Sequence, residues 1–291
     1  MKPSTSEFLT LRGRRIHVRL WGAVDAPRLF LLHGWQDFSA SFQFLVDGLA
    51  REWRCIAPDW RGFGQSQWNN DCYWFPDYLA DLDALLDHYS PHEPARIVGH
   101  SMGGNAACVY AGVRPARVVR LVTLEGFGLP ASDPADAPER YARWLDQLRD
   151  VPPNRRYADR AALALRLQRL NPRLTDERAA FLAEHFGVED GLDAAAPVVV
   201  ASDPHHKLAA PYPYRLEEAK ACWRRVTAPV LWVEGGDSAA MKMYLGLGED
   251  DYQARLACFA NIRRVNVEDA GHNLHHDQPE ALARLIEEFL A

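Results

Sequence analysis

The feature that most restricts this chain is the run Gly99-His100-Ser101-Met102-Gly103, set between an apolar strand-like segment, ARIV, and a helix-like segment, NAACVYAGV. A strand that turns at once into a helix strains its turn residue and brings neighbouring backbones close together. The residues two before and two after the turn must then lack side chains, a condition that Gly99 and Gly103 meet. Such a turn lifts the Ser101 side chain above the sheet, and the first N–H groups of the following helix favour negative charge beside it.

The surrounding order supports that geometry. LFLLHG (29–34), WRCIAPD (53–59), ARIVGH (95–100) and VVRLVTLEG (118–126) are short apolar runs closed by turn residues, as buried strands are. Between them, segments 39–50 and 77–89 carry apolar residues at helical spacing. This alternation predicts an α/β fold with a mostly parallel central sheet flanked by helices. After Gly126 the pattern breaks. From Leu129 to about Pro213 prolines recur, and the stretches 140–150, 161–170 and 177–186 read as helices with no convincing strand, so the region is expected to be a helical insertion. Alternation resumes with strands at 228–236 and 262–269, helix-like 250–260 and a closing amphipathic helix at 279–290.

Composition removes several alternatives. The net charge of −6 leaves no basic field for holding phosphates, so nucleic acid is not an expected partner. No stretch approaches the roughly 18 apolar residues of a membrane span, and the N-terminal residues do not read as a secretory signal. The 5 cysteines are odd in number and scattered without C-x-x-C spacing, which argues against a disulfide framework or a zinc cluster and points to the cytoplasm.

A serine hydroxyl becomes a good nucleophile only when a base takes its proton, usually a histidine oriented by a carboxylate. Of the 11 histidines, His272 has the right position, in a loop between a strand and the last helix at the edge where open α/β folds gather their sites. His275 and His276 are rivals, but a metal site built on them would need further ligands that the neighbouring sequence does not offer, so no metal or other cofactor is expected. His205 and His206, in a proline-flanked loop, read as exposed structural residues.

Four motifs in order, HGWQD (33–37), DWRGFGQS (59–66), GHSMGG (99–104) and AGHNLHHDQPE (270–280), resemble the α/β-hydrolase fold serine hydrolases, and the HGW-x-D start with ASF (40–42) is similar to the serine hydrolase-like subgroup. The resemblance implies a cap inserted after the sixth strand, with core parts at 1–129 and 216–291 and the cap at 130–215. It implies an oxyanion hole formed by the backbone N–H groups of Trp35 and Met102. It also implies a triad of Ser101, His272 and an acid. Asp237, at a strand end in VLWVEGGDS, resembles the usual family acid; Glu125, closing RLVTLEG, resembles the relocated acid of some haloalkane dehalogenases. Asp237 is the first choice and Glu125 the alternative. Ser101 stands where haloalkane dehalogenases and epoxide hydrolases carry an aspartate nucleophile, which argues against both. The expected activity is cleavage of a carboxylic ester or related small acyl substrate through an acyl-enzyme. The alternatives are a carbon–carbon bond hydrolase and a catalytically silent binding protein on the same fold.

Overall fold

The computed structural model describes residues 1–192, 195, 197–238, 246 and 248–291. Strands β1 (Ser4–Leu11) and β2 (Arg14–Trp21) form an antiparallel hairpin. They are followed by β3 (Arg28–Leu32), α1 (Gln43–Gly48), β4 (Arg54–Pro58), α2 (Phe75–Tyr89), β5 (Ala95–His100), α3 (Met102–Val113) and β6 (Val118–Leu124). The chain then leaves this layer for α4 (Ala137–Arg149), β7 (Arg156–Tyr157), α5 (Arg160–Leu170), α6 (Asp176–Phe186), β8 (Gly187–Glu189) and β9 (Val198–Val200). It returns through α7 (Leu216–Trp223), β10 (Val230–Gly235), α8 (Glu249–Leu256), β11 (Ile262–Val267), α9 (Leu274–Asp277) and α10 (Pro279–Leu290).

Among the described residues the main sheet runs β1-β2-β4-β3-β5-β6-β10-β11, parallel throughout except where β2 meets β1 and β4. Its central strands are apolar on both faces because helices cover both. In β3, Phe30 and Leu32 join a core with α2, α3 and α7, while Leu29 and Leu31 join a second core with α1 and α10. Each fully buried side chain of this kind contributes roughly 1.5–3 kcal/mol. α10 shows how sequence sets a face: Leu282, Ala283, Ile286 and Leu290 recur at helical spacing and are buried, and Pro279 opens the helix where its missing N–H costs nothing.

The inserted region differs from the expectation in one respect. Its helices lie where the spacing indicates, but β7, β9 and β8 form a small antiparallel sheet beside them. Strands of two or three residues are too short to show a period of two, which is why the sequence reads as helical only. The region packs onto the core through the stack of Phe186 on Phe38, with ring centres 4.8 Å apart.

The sheet winds from β3 outward to β4, then reverses and continues from β5 on the other side of β3. At such a reversal the loops leaving the strand ends diverge and open a crevice. The ends of β3 and β5 carry His33-Gly34 and Ser101. The turn there is closely packed: a Cβ on Gly99 would meet the Gly103 carbonyl at 2.6 Å, and one on Gly103 would meet Leu32 O at 2.2 Å.

Helix propensity alone would make alanine better than glycine at position 103 by about 1 kcal/mol. Overlap with a backbone atom outweighs that, so Gly103→Ala should destabilise by roughly 2–3 kcal/mol and lower the thermal midpoint by several degrees. An unchanged or raised midpoint would contradict this packing.

Candidate active site

Ser101 sits between β5 and α3 at φ 48°, in the left-handed region that non-glycine residues rarely occupy. Its N–H donates to Leu124 O at 2.8 Å, which ties the turn to the end of β6. The residue after β6 is Glu125, also at positive φ (55°), so the chain turns there and buries the carboxylate beneath the loops instead of sending it to solvent. Glu125 Oε1 accepts the Gly235 N–H at 2.8 Å; Oε2 accepts the Ser238 hydroxyl at 2.6 Å and lies 3.1 Å from His272 Nδ1. A carboxylate removed from water needs such donors to remain charged.

The acid beside His272 is therefore Glu125, which corrects the first expectation. Asp237 bonds Arg173 at 2.5 Å, and its side chain is 53% exposed where that of Glu125 is 0% exposed. The reason lies in the backbone after β10: Gly235 and Gly236 turn the chain so that Asp237 faces outward, while its own N–H binds Ala270 O. The neighbouring Glu234 pairs with Arg264 at 2.9 Å and takes no part.

His272 is held from a second side. Its carbonyl accepts from His100 Nε2 at 2.9 Å, so His100 carries its proton on Nε2 and leaves Nδ1 bare against Gly34. Desolvation holds His100 well below the usual imidazole range, so it stays neutral. Sequence reasoning missed this residue, although it stands beside the serine. Gly34 is what lets the β3 loop pass the nucleophile: a Cβ there would lie 3.2 Å from Ser101 Cβ. His33 fixes that loop by donating from Nδ1 to Gly34 O and accepting the Trp60 N–H on Nε2. Asp59 accepts the Ser39 N–H beyond that loop at 2.6 Å and is itself held by His17, while Arg61 ties the loop after β4 to Asp81 of α2.

Ser101 and His272 open into one cavity of about 410 Å³, also lined by Trp35, Asp37 and His100 from the core and by Leu163, Leu167 and Phe186 from the inserted region. A smaller cavity of about 150 Å³ shares Trp35 as a wall and is lined also by Met102, Trp144 and Tyr73. Of the expected oxyanion donors, Trp35 lines the same cavity as Ser101, and Met102 follows Ser101 in the chain and opens α3 with N–H groups that have no intrahelical partner.

The expectation that His275 lacks potential metal ligands nearby also needs correction. Folding brings Asp37 and His100, remote in sequence, so close that one ligand atom from each of the three lies within 4.8 Å of the others. Both rings are already engaged through Nε2, His275 with the Ser41 hydroxyl at 3.3 Å and His100 with the His272 carbonyl. Nor is His206 an exposed loop residue. It is sandwiched between Phe63 and Tyr73 with ring centres 3.8 and 3.6 Å away, because the β9 end folds back onto Gly62.

Comparisons with known proteins identify the family. The family profile described as alpha/beta hydrolase fold matches residues 27–279, and the chain belongs to that family. It is a hydrolase of the α/β-hydrolase superfamily, and its relatives include serine hydrolase-like proteins. One of them, from Danio rerio, is 28% identical over 302 residues, covering 100% of this chain and 90% of the relative. Among solved structures, a thioesterase domain from the curacin biosynthetic pathway superposes with a TM-score of 0.85 at 26% identity, covering 98% of this chain and 99% of its own. An esterase from Mycobacterium tuberculosis shares the fold with a TM-score of 0.72 at 22% identity, covering 100% and 92%. No helix among the described residues is long and apolar enough to cross a membrane.

Desolvation pushes His206, His275 and His276 down to about 3. In an unfolded chain such rings take up protons near pH 6.5, so between about pH 6.5 and 3 the unfolded state binds more protons and stability declines as the pH is lowered. The stability these neutral rings contribute is intact above pH 6.5. Below it, each ring costs up to about 1.4 kcal/mol per pH unit. The thermal midpoint should therefore drop steadily from pH 7 to pH 5; a level midpoint would mean that these rings are not buried as described.

Proposed function

We propose that the chain is a serine hydrolase that cleaves a carboxylic ester, or a related small acyl compound such as a thioester, through an acyl-enzyme. The observation that carries this reading is a strained Ser101 sharing a cavity with His272, whose Nδ1 is 3.1 Å from a buried Glu125. Ser101 Oγ attacks the acyl carbon while His272 Nε2 takes its proton. The carbonyl oxygen gains the negative charge, and the N–H groups of Trp35 and Met102 stabilise it, each worth about 3–4 kcal/mol in such sites. His272 then returns the proton to the leaving group as the acyl–oxygen or acyl–sulfur bond breaks. Water, deprotonated by the same nitrogen, releases the acid and restores Ser101. Throughout, Glu125 keeps the His272 proton on Nδ1 and stabilises the ring when it becomes charged.

In this reading residues 130–215 act as a cap over core parts 1–129 and 216–291, and they select the acyl group. The partner is a small acyl molecule rather than nucleic acid or membrane, and the working compartment is the cytoplasm. The thioesterase relationship, with its high overlap across the whole chain, favours acyl transfer to water over a silent binding role.

A fluorophosphonate probe should label the native protein and fail to label Ser101→Ala; absence of labelling in the native protein would support the binder. Glu125→Gln should lower kcat by about a thousandfold or more through loss of the tautomer and of imidazolium stabilisation. Asp237→Asn, a surface change, should stay within about twofold. The reverse pattern would return the acid role to Asp237.

A further inference from the structure

The cavity above Ser101 holds cations that the proposed chemistry leaves unused. Arg155, Arg166 and Lys207 all line it, contributed by the inserted region, against the lone carboxylate of Asp37. Asp37 is engaged elsewhere, accepting the Ser41 hydroxyl at 2.9 Å and facing His275 at 3.6 Å.

Several other arginines of the same region carry carboxylate partners, though Arg140, Arg143 and Arg169 have none among the described residues, so what sets Arg155 and Arg166 apart is their place on the cavity wall. Arg156, Arg160, Arg173 and Arg178 each reach a carboxylate: Asp190, Glu184, Asp237 and Glu280 in turn. Arg155 and Arg166 form no ion pair among the described residues; Arg155 has only the Tyr157 ring, 5.8 Å from its guanidinium carbon. Lys207 donates to Pro153 O at 2.8 Å and has no carboxylate partner among the described residues either. Burial lowers its pKa, the sign of an ammonium partly stripped of water without a counter-ion. Arg155 is exposed and Arg166 and Lys207 are half-buried at the cavity wall, so an anion entering the cavity meets three cations without carboxylate partners among the described residues and gains charge-assisted hydrogen bonds. Leu163, Leu167, Leu170 and Leu174 line the same space, so an apolar spacer suits the route from the serine to the charges.

We infer that the substrate carries an anionic group, joined to the scissile carbonyl through a short apolar stretch, and that Arg155, Arg166 and Lys207 receive it. This rests on the serine hydrolase reading above. The anion has two chemical sources, a carboxylate at the far end of the acyl chain or a phosphate on the leaving group, and both present the same oxygens to the same cations.

The test uses two matched pairs of substrates and compares kcat/KM within each pair. For the acyl side, the 4-nitrophenyl monoester of adipic acid is set against its methyl-capped neutral form. For the leaving-group side, the hexanoate ester of 4-hydroxybutyl phosphate is set against its neutral dimethyl phosphate triester. In at least one pair the anionic member should be favoured by about tenfold or more at low salt, and the pair that shows it identifies the source. Arg155→Gln combined with Arg166→Gln should bring that ratio down towards one. Because the readout is a ratio within one preparation, a loss of folded protein does not mimic the effect. Equal rates within both pairs, or a preference that survives the double variant, would overturn the inference while leaving the hydrolase reading intact. If none of the four compounds is turned over and the fluorophosphonate label is also absent, the hydrolase reading fails and this inference with it.

Discussion

A carboxylate buried beneath the loops at the end of a sheet is unstable unless every lone pair facing inward finds a donor. Glu125 meets that demand with the Gly235 N–H, the Ser238 hydroxyl and His272 Nδ1. These donors come from the β10 end and from the loop after β11, so one side chain just past the end of β6 ties the last two strand ends of the sheet to the site. The His272 ring takes its orientation from this arrangement, and His100 holds its carbonyl from the β5 side. Removing the carboxylate would leave the donors unpaired, a cost of about 1–3 kcal/mol each in buried surroundings.

The strain concentrated at the site is consistent with this dependence. Gln36, Ser101 and Glu125, one from each of the loops leaving β3, β5 and β6, all have positive φ. Each such residue costs of order 1–3 kcal/mol and persists only where packing and hydrogen bonds over-determine it. Here the Ser101 and Glu125 backbones are pinned by hydrogen bonds to Leu124 and Val233. The chain spends stability on geometry at the point where the sheet reverses its winding.

Much of this layout was legible in the sequence. The central strands could be read because they are apolar on both faces, and the serine turn because sterics restrict positions 99 and 103 to glycine. The β1–β2 hairpin was not read, since an edge pair rich in Arg14, Arg15, Arg19 and Glu7 lacks a long apolar run. The choice between the two acids turned on backbone direction rather than residue type. Both Glu125 and Asp237 follow the end of a parallel strand, and only the inward turn at Glu125, set against the outward one through Gly235-Gly236, separates them. Likewise, the closeness of Asp37, His100 and His275 comes from strand order, which brings the ends of β3 and β5 together with the loop after β11, and no local spacing announces it.

The most direct test of the Glu125–His272 pairing is nuclear magnetic resonance on protein with nitrogen-15 histidine, observing the ring protons in native enzyme. A His272 Nδ1–H shared with a carboxylate gives a strongly deshielded proton that exchanges slowly enough to be seen, assigned by its disappearance in His272→Ala. That resonance should persist in Asp237→Asn and vanish in Glu125→Ala. Persistence in Glu125→Ala together with loss in Asp237→Asn would contradict the pairing on which the site is built.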